Sequence, residues 1–182
     1  RPELEAALAR CVQVFGPPTI LVNNAGVDAP PAAGGKRHRL EEIPLAVNLR
    51  ILEVNAAGLF LVSQVFGAAM VAKGRGSIIN IGSGCNKWPF PNLVDYTASK
   101  GGMEQFTKVA AVELGPLKIR VNCVAPGAIE IERTQNEAGD YAGTWAKLTP
   151  MRRVGLPADI ANAVAFLCED KANFITGQTI SV

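Results

Sequence analysis

Apolar residues recur along the chain at two spacings, and the alternation between them gives an outline. Over residues 3 to 14, Leu4, Ala7, Leu8, Cys11 and Val12 fall three and four apart, which predicts one face of a short helix stopped by Gly16-Pro17-Pro18. Thr19-Ile20-Leu21-Val22 is then continuously apolar, as suits a strand buried on both faces of a parallel sheet, and Asn23-Asn24-Ala25-Gly26 turns the chain at its end. Residues 28 to 39 are rich in Pro, Gly and basic side chains and predict a loop. A long helical pattern follows from about 41 to 71, with Pro44 breaking its first turn.

Residues 77 to 81 form the next apolar strand, ending at Gly82-Ser83-Gly84, and residues 95 to 114 the next helix. A third strand over 119 to 124 ends at Ala125-Pro126-Gly127. Residues 128 to 156 are polar and turn-rich, 157 to 168 is an amphipathic helix with proline near its start, and 175 to 182 closes the chain as a short strand. Strands alternating with helices predict an α/β fold, a doubly wound parallel sheet with right-handed crossovers, in one domain without internal repeat over residues 1 to 182.

Composition narrows the function classes. The chain has 182 residues, 48% hydrophobic and 19% charged, enough apolar side chain for a folded core. A net charge of +2, with the basic residues scattered, does not make the electrostatic footprint of nucleic-acid binding. Cys11, Cys85, Cys123 and Cys168 show no ligand spacing and only one histidine is present, so no metal site is expected. The cysteines read as buried free thiols, which points to the cytoplasm. The beginning Arg1-Pro2-Glu3-Leu4 shows no signal peptide, and no apolar run is expected to reach the roughly 18 residues of a membrane span, so no membrane partner is expected.

In open parallel sheets the ligand crevice lies beyond the carboxyl ends of the strands. The three strand ends carry Asn23 to Gly26, Gly82 to Gly84, and Pro126-Gly127, and the helix beginning near Asp95 brings Tyr96 and Lys100 to the same side. Tyr96 and Lys100 are four apart and share a helical face. A phenol of pKa about 10 is a poor base at neutral pH, a handicap near 4 kcal/mol. One ammonium about 5 Å away, at an effective dielectric of about 20, offsets roughly 3 kcal/mol of it. A second positive charge, such as an oxidised nicotinamide ring, would supply the rest.

Alone, a Tyr-x-x-x-Lys spacing carries little; in order with Asn23-Asn24-Ala25-Gly26, Asn55 in Glu53-Val54-Asn55-Ala56-Ala57-Gly58, Ser83, Arg120-Val121-Asn122 and Ala125-Pro126-Gly127, it resembles the short-chain dehydrogenase/reductase family. Arg153-Val154-Gly155-Leu156-Pro157-Ala158-Asp159 and Ile175-Thr176-Gly177-Gln178-Thr179 resemble that family's closing portion. The resemblance implies a Rossmann-type domain that uses NAD or NADP to interconvert a small-molecule carbonyl and a secondary alcohol. It makes Tyr96 the acid/base, Lys100 the group that lowers the phenol's pKa and holds ribose, Ser83 the group that orients substrate, and Asn55 part of a proton supply. It places Asn23, Asn24, Ala25 and Gly26 along the cofactor and Pro126, Gly127 and Ile129 beside the nicotinamide. It implies a homo-oligomer, dimer or tetramer, through the helix carrying Gly101 and Gly102, where two glycines in a helix interior imply a closely packed neighbour.

Two departures stand out. The family begins with a strand, a glycine-rich phosphate turn and two further strands that this sequence does not contain, so the domain is expected to be incomplete at its N-terminus and by a few residues at its C-terminus. Ile131 stands where many relatives carry a threonine that bonds the nicotinamide carboxamide; Thr134 is the candidate replacement. The residues that would separate NAD from NADP lie in the missing portion. Residues 130 to 145 are expected to form a substrate lid. Lys36-Arg37-His38-Arg39 reads as a solvated loop in preference to a dock for an acidic carrier, and Cys85 as an inert thiol. Two other readings stay open: a scaffold that keeps the fold without catalysis, and a lyase or epimerase using the same tyrosine and lysine.

Overall fold

The computed structural model describes residues 1–30, 37–137 and 139–182. Four strands, β1 (Ile20–Asn23), β2 (Gly76–Ile81), β3 (Ile119–Ala125) and β4 (Thr179–Ser181), form one sheet in the order β1-β2-β3-β4. All three pairings are parallel, with Leu21 opposite Ile78, Ile78 opposite Val121, and Val124 opposite Ile180. Every strand therefore ends on the same edge, which is where a parallel sheet collects its ligand-binding loops.

Helices cover both faces, as a doubly wound sheet requires. On one face lie α3 (Leu59–Lys73) and α4 (Val94–Leu114), whose Met70, Phe106, Ala110 and Ala111 pack with Leu21, Ile78, Ile119 and Val121. The other face is covered by α7 (Pro157–Cys168), where Ile160, Val164 and Leu167 meet Ile79, Ile81 and Val124. Strand alternation sorts these two sets: side chains at 78 and 121 point one way and those at 79 and 124 the other. The C-terminal carbonyl of α7 is met by cationic and hydroxyl donors, because the Leu167 oxygen accepts from Arg120 at 2.6 Å and from Ser77 at 3.1 Å. The first helix, α1 (Pro2–Phe15), packs against α3, and Ile20 and Val22 of β1 remain exposed on the α7 side of the sheet.

Three expectations are corrected. The helical pattern over 41 to 71 is four pieces: a 3-10 turn (Leu40–Glu42), α2 (Leu45–Leu52) with Pro44 at its N-cap, a π turn (Glu53–Gly58), and α3. Hydrophobic periodicity does not resolve a single wide turn inside a helix. Taken together, Leu45–Lys73 is a 29-residue helical run containing an 18-residue stretch of mean hydropathy 1.7, long and apolar enough by composition to cross a membrane. The search for an apolar run passed over it because Asn55, Ser63 and Gln64 divide the uncharged stretch from 54 to 72; in the fold, Leu59, Val65, Gly67 and Met70 are buried.

The closing strand is shorter than the pattern over 175 to 182, spanning Thr179–Ser181. Gly177 takes φ +71°, and the stretch before β4 meets β3 through side chains: Thr176 Oγ1 accepts from the Val121 amide at 3.0 Å, and Asn122 Nδ2 donates to the Ile175 carbonyl at 2.8 Å. Two further helices, α5 (Glu132–Glu137) and α6 (Tyr141–Ala146), occupy the segment expected to be turn-rich.

Candidate active site

Where β2 ends, the chain passes through Gly82 to Ser83. A Cβ at Gly82 would lie 2.6 Å from Cys123 Sγ, and one at Gly84 would lie 3.2 Å from the Pro126 carbonyl oxygen, so glycine is required for the β2 and β3 loops to meet. They are joined by the Gly84 amide donating to the Pro126 carbonyl at 2.8 Å. Ser83 caps a 3-10 turn (Gly84–Asn86), its Oγ accepting from the Cys85 amide at 3.3 Å. The same hydroxyl hydrogen-bonds the Tyr96 phenol.

Tyr96 and Lys100 lie on the first turns of α4, with Lys100 Nζ 5.7 Å from the centre of the Tyr96 ring. Lys100 is only 4% exposed, and its ammonium donates to the Ile81 carbonyl, the last of β2, at 2.7 Å. Burial pushes the Lys100 ammonium below its ordinary value of 10.5. Burial also pushes the Tyr96 phenol above 10.0, against the lowering effect of its Ser83 hydrogen bond, with Cys85 and Asp28 adding to the rise and Arg133 opposing it. The expected lowering of Tyr96 by Lys100 is thus corrected for the protein alone: desolvation is the largest influence on both groups and drives each toward its neutral form.

Asn55 sits in the π turn and is fully buried. Its Oδ1 accepts from the Val27 amide at 2.8 Å, while Nδ2 donates to the Val27 carbonyl at 2.9 Å and to Ser99 Oγ at 3.0 Å. The side chain therefore clamps the loop after β1 to α4, and both of its N–H donors are used. The exposed backbone of Asn24, Ala25 and Gly26 runs beside this clamp; a Cβ at Gly26 would stand 3.4 Å from both Asn55 Oδ1 and Lys100 Nζ. A residue without Cβ at 26 leaves the ammonium approachable from the crevice.

Asn23 is placed differently from its expected station along a cofactor. It is buried, and Nδ2 donates to Ser63 Oγ at 3.0 Å and to Asn80 Oδ1 at 2.9 Å, so its side chain works inside the fold. Ile129 forms a parallel bridge with Gly155, where a Cβ would lie 2.5 Å from Ile129 Cδ1. Pro126 and Gly127 hold the β3 loop, the Gly127 amide donating to the Val182 carbonyl at 2.7 Å. Thr134 is engaged locally: its Oγ1 accepts from the Ile131 amide at 2.9 Å and donates to the Ile131 carbonyl at 2.8 Å, a cap over the start of α5.

Of the basic loop, Lys36 lies outside the described residues; Arg37 pairs with Asp28 at 2.7 Å, and Arg39 pairs with Glu41. These are partners within the chain, in line with the solvated-loop reading. Among the described residues, no group of three His, Cys, Asp or Glu is placed to hold a metal. Sequence reasoning missed the buried polar row Ser63, Asn23, Asn80 and Thr107, for which one signal was available: Asn80 is a lone amide inside the apolar run of β2. It also missed Asp28 and Arg133, charges near the Tyr96 phenol for which no motif exists.

Residues 1–182 match the family model described as enoyl-(acyl carrier protein) reductase. The chain belongs to the short-chain dehydrogenase/reductase family. It is an oxidoreductase of that family. It is 36% identical, over 99% of its length and 70% of the relative's, to the galactitol 2-dehydrogenase (L-tagatose-forming) of Cereibacter sphaeroides. It is 33% identical to the 3-oxoacyl-(acyl-carrier-protein) reductase of Thermotoga maritima, over 100% of this chain and 71% of that one. Among solved structures, a gluconate 5-dehydrogenase from Burkholderia cenocepacia, in complex with NADP and tartrate, superposes with a TM-score of 0.89 at 30% identity, covering 100% of this chain and 69% of that one. The Rossmann-type fold is shared with these relatives.

Proposed function

We propose that this chain carries the carbonyl/alcohol chemistry of a nicotinamide-dependent dehydrogenase or reductase, with residues 1 to 182 as one catalytic domain. The observation that carries the reading is the convergence, at the carboxyl edge of the sheet, of the Ser83 hydroxyl on the Tyr96 phenol with the Lys100 ammonium beneath the ring. The residues fit a nicotinamide nucleotide, NAD or NADP: a buried ammonium lies under the exposed Asn24-Ala25-Gly26 backbone, where Gly26 leaves room, and the Pro126-Gly127 turn stands across from it. Lys100 would hold ribose hydroxyls, and Asn24, Ala25, Gly26, Pro126 and Gly127 would line the cofactor mainly through backbone.

When bound, the nicotinamide supplies or accepts the hydride. In the reducing direction Ser83 donates a hydrogen bond to the carbonyl oxygen, and Tyr96 delivers the proton that turns this oxygen into the alcohol; in the oxidising direction Tyr96 removes that proton. A neutral phenol is the form that donates, and burial favours it. Lys100 stabilises the phenolate left behind, and Asn55 acts on this centre as a positioning residue that fixes α4 against the loop after β1.

The assembly we propose is a homodimer or homotetramer through α4 and the run Leu45–Lys73. A Cβ at Gly101 would meet Asn86 Oδ1 at 3.9 Å, but among the described residues one at Gly102 meets nothing within 4 Å, and Leu49, Val109 and Val112 of the same helices are exposed, which supports a neighbour at Gly102 from a second copy. Four free thiols favour the cytoplasm as the working compartment.

The test is Tyr96→Phe in the cofactor-loaded protein, assayed with NADH and NADPH against a panel of ketones. Turnover falls at least about 100-fold while cofactor binding persists. Turnover near the wild-type rate would overturn the assignment of the proton to Tyr96.

A further inference from the structure

Past Gly26 the loop after β1 is tied to the catalytic helix bond by bond. Val27 is held at both its amide and its carbonyl by Asn55, Asn55 donates to Ser99 Oγ at 3.0 Å, and Ser99 donates to the Tyr96 carbonyl at 2.7 Å. Asp28 is the next residue, so an unbroken run of hydrogen bonds sets its place relative to the turn of α4 that carries Tyr96. Its side chain is fixed as well: Oδ1 accepts from the Ala29 amide at 2.8 Å, and Oδ2 accepts from Arg37 Nη1 at 2.7 Å. A carboxylate held at both oxygens has little rotamer freedom left to lose when it binds something further.

This carboxylate stands close to the reacting centre. Asp28 and Arg133 are the two opposite charges of side chains that reach the Tyr96 phenol. The Asp28 side chain keeps 13% exposure, shielded from bulk water without being sealed. A carboxylate has about four lone-pair sites, of which the Ala29 and Arg37 bonds use two. The others can only accept, so the partner they take is a donor. A substrate hydroxyl fits, since it donates to Asp28 while its oxygen accepts from the N–H groups that Arg37 has left. A substrate carboxylate fits poorly, because it would take Arg37 from Asp28 and leave that charge unpaired. A bare hydrocarbon chain would cover the acceptors and give them nothing.

The geometry points to Asp28 as the specificity determinant of this enzyme, a carboxylate held by Arg37 that accepts hydrogen bonds from hydroxyls near the substrate carbonyl and so selects polyhydroxylated ketones over plain ketones and keto acids. The inference rests on the carbonyl/alcohol reading above. With the carbonyl oxygen at Ser83 and Tyr96, the hydroxylated carbons lie toward the loop after β1. The bonds they make there are the same in substrate and transition state, so Asp28 acts on KM more than on kcat.

Erythrulose and 2-butanone share a carbon skeleton and a carbonyl position and differ only in the hydroxyls of the former. In the full-length protein loaded with oxidised nicotinamide dinucleotide, which has no hydride to give a ketone, calorimetry shows saturable binding of erythrulose and none of 2-butanone or 2-oxobutanoate at the same concentration. Asp28→Asn weakens erythrulose binding about tenfold, the loss of one charge-assisted hydrogen bond. This variant keeps the size of the side chain and an oxygen for the Ala29 amide, so its circular dichroism and its cofactor affinity match the parent's. In turnover with reduced cofactor, Asp28→Asn raises KM for erythrulose about tenfold and leaves its kcat, and kcat/KM for 2-butanone, near the parent values. Absence of saturable erythrulose binding, equal affinity for 2-oxobutanoate, unchanged affinity in Asp28→Asn, or an equal fall in kcat/KM for both ketones overturns the assignment. The titration needs no turnover, so a Tyr96→Phe protein that keeps its turnover would overturn the acid/base reading and leave the titration to decide Asp28 separately.

Discussion

Asn55 donates from Nδ2 to Ser99 Oγ at 3.0 Å, and Ser99 donates in turn to the Tyr96 carbonyl at 2.7 Å. One buried amide therefore ties the turn of α4 that carries Tyr96 and Lys100 to the π turn, and through Val27 to the loop after β1. Removing it would free the active helix turn from the cofactor loop while leaving Tyr96, Ser83 and Lys100 in the chain.

Asn55→Leu keeps the branched outline of the amide, adds bulk in a fully buried site, and deletes all three hydrogen bonds. It strands the Val27 amide and carbonyl in a partly buried site, and a buried unsatisfied group costs about 1–3 kcal/mol. The expected result in urea unfolding is a loss of about 2–4 kcal/mol of stability, at the upper end of single substitutions. Unchanged stability would show that water replaces the clamp.

Asn80 is the centre of the buried row. Its Oδ1 accepts from Asn23 and its Nδ2 donates to Thr107 Oγ1 at 2.9 Å, while Thr107 donates to the Met103 carbonyl at 2.9 Å. The row crosses from β1 through β2 to α4, so it fixes the loop after β1 and the catalytic helix in one register. A double-mutant cycle of Asn23→Ala and Asn80→Ala should give a coupling energy of about 1–2 kcal/mol, because the two amides share one desolvated hydrogen bond. Additivity within about 0.5 kcal/mol would mean that each amide finds another partner when its neighbour is removed.

The parallel sheet could be read in advance because its buried strands are continuous apolar runs, and Ile78-Ile79 and Val121 to Val124 could face nothing but protein. Pro44 marked the start of α2 for the same local reason, its missing amide. Tyr96, Lys100 and Ser83 were legible by spacing and by strand ends. The inward turn of Asn23 was not, because its partner Asn80 lies 57 positions along the chain and only folding brings the amides together. Nor was the split of α2 from α3, since a π turn preserves the apolar stripe, nor α6, whose six residues owe their place to Phe90 across the crevice.

Cys123 gives the fold an alkaline liability. It is fully buried in β3, and burial pushes its thiol from 9.0 up to about 11. The unfolded chain releases this proton near 9 while the folded chain keeps it, so between pH 9 and about 11 the folded state binds more protons and stability falls as pH rises. The loss is on the order of 2 kcal/mol over that window. Cys123→Ala should be less stable than the parent at neutral pH, through the small cavity it opens, and should lose less between pH 9 and 11. Parallel pH profiles for the two proteins would exclude Cys123 as the source.

Asp159 gives the opposite sign at the acid end. Its carboxylate accepts from Arg153 at 2.7 and 3.0 Å and from the Leu156 amide at 2.8 Å at the start of α7, and it is held from 3.8 down to about 2, chiefly by the Arg153 hydrogen bonds. Its contribution is therefore present above pH 3.8 and lost as pH falls through about 2. Carbon-detected NMR titration should find Asp159 ionised well below the other exposed carboxylates, and Arg153→Gln should return it toward 3.8. An Asp159 that titrates with the rest in the parent protein would show that the pair is not formed in solution.

Gly102 separates packing inside the chain from packing between chains. It lies in the interior of α4, a helix of 21 residues, where glycine costs about 1 kcal/mol relative to alanine. A Cβ there meets nothing within 4 Å, so Gly102→Ala should stabilise the monomeric chain, at dilution, by about 1 kcal/mol in urea unfolding. If a second copy packs on this face, a larger side chain has no room: Gly102→Leu should shift the sedimentation profile toward monomer while leaving the fold intact by circular dichroism. Gly102→Leu with an unchanged assembly state would place any interface elsewhere on the molecule.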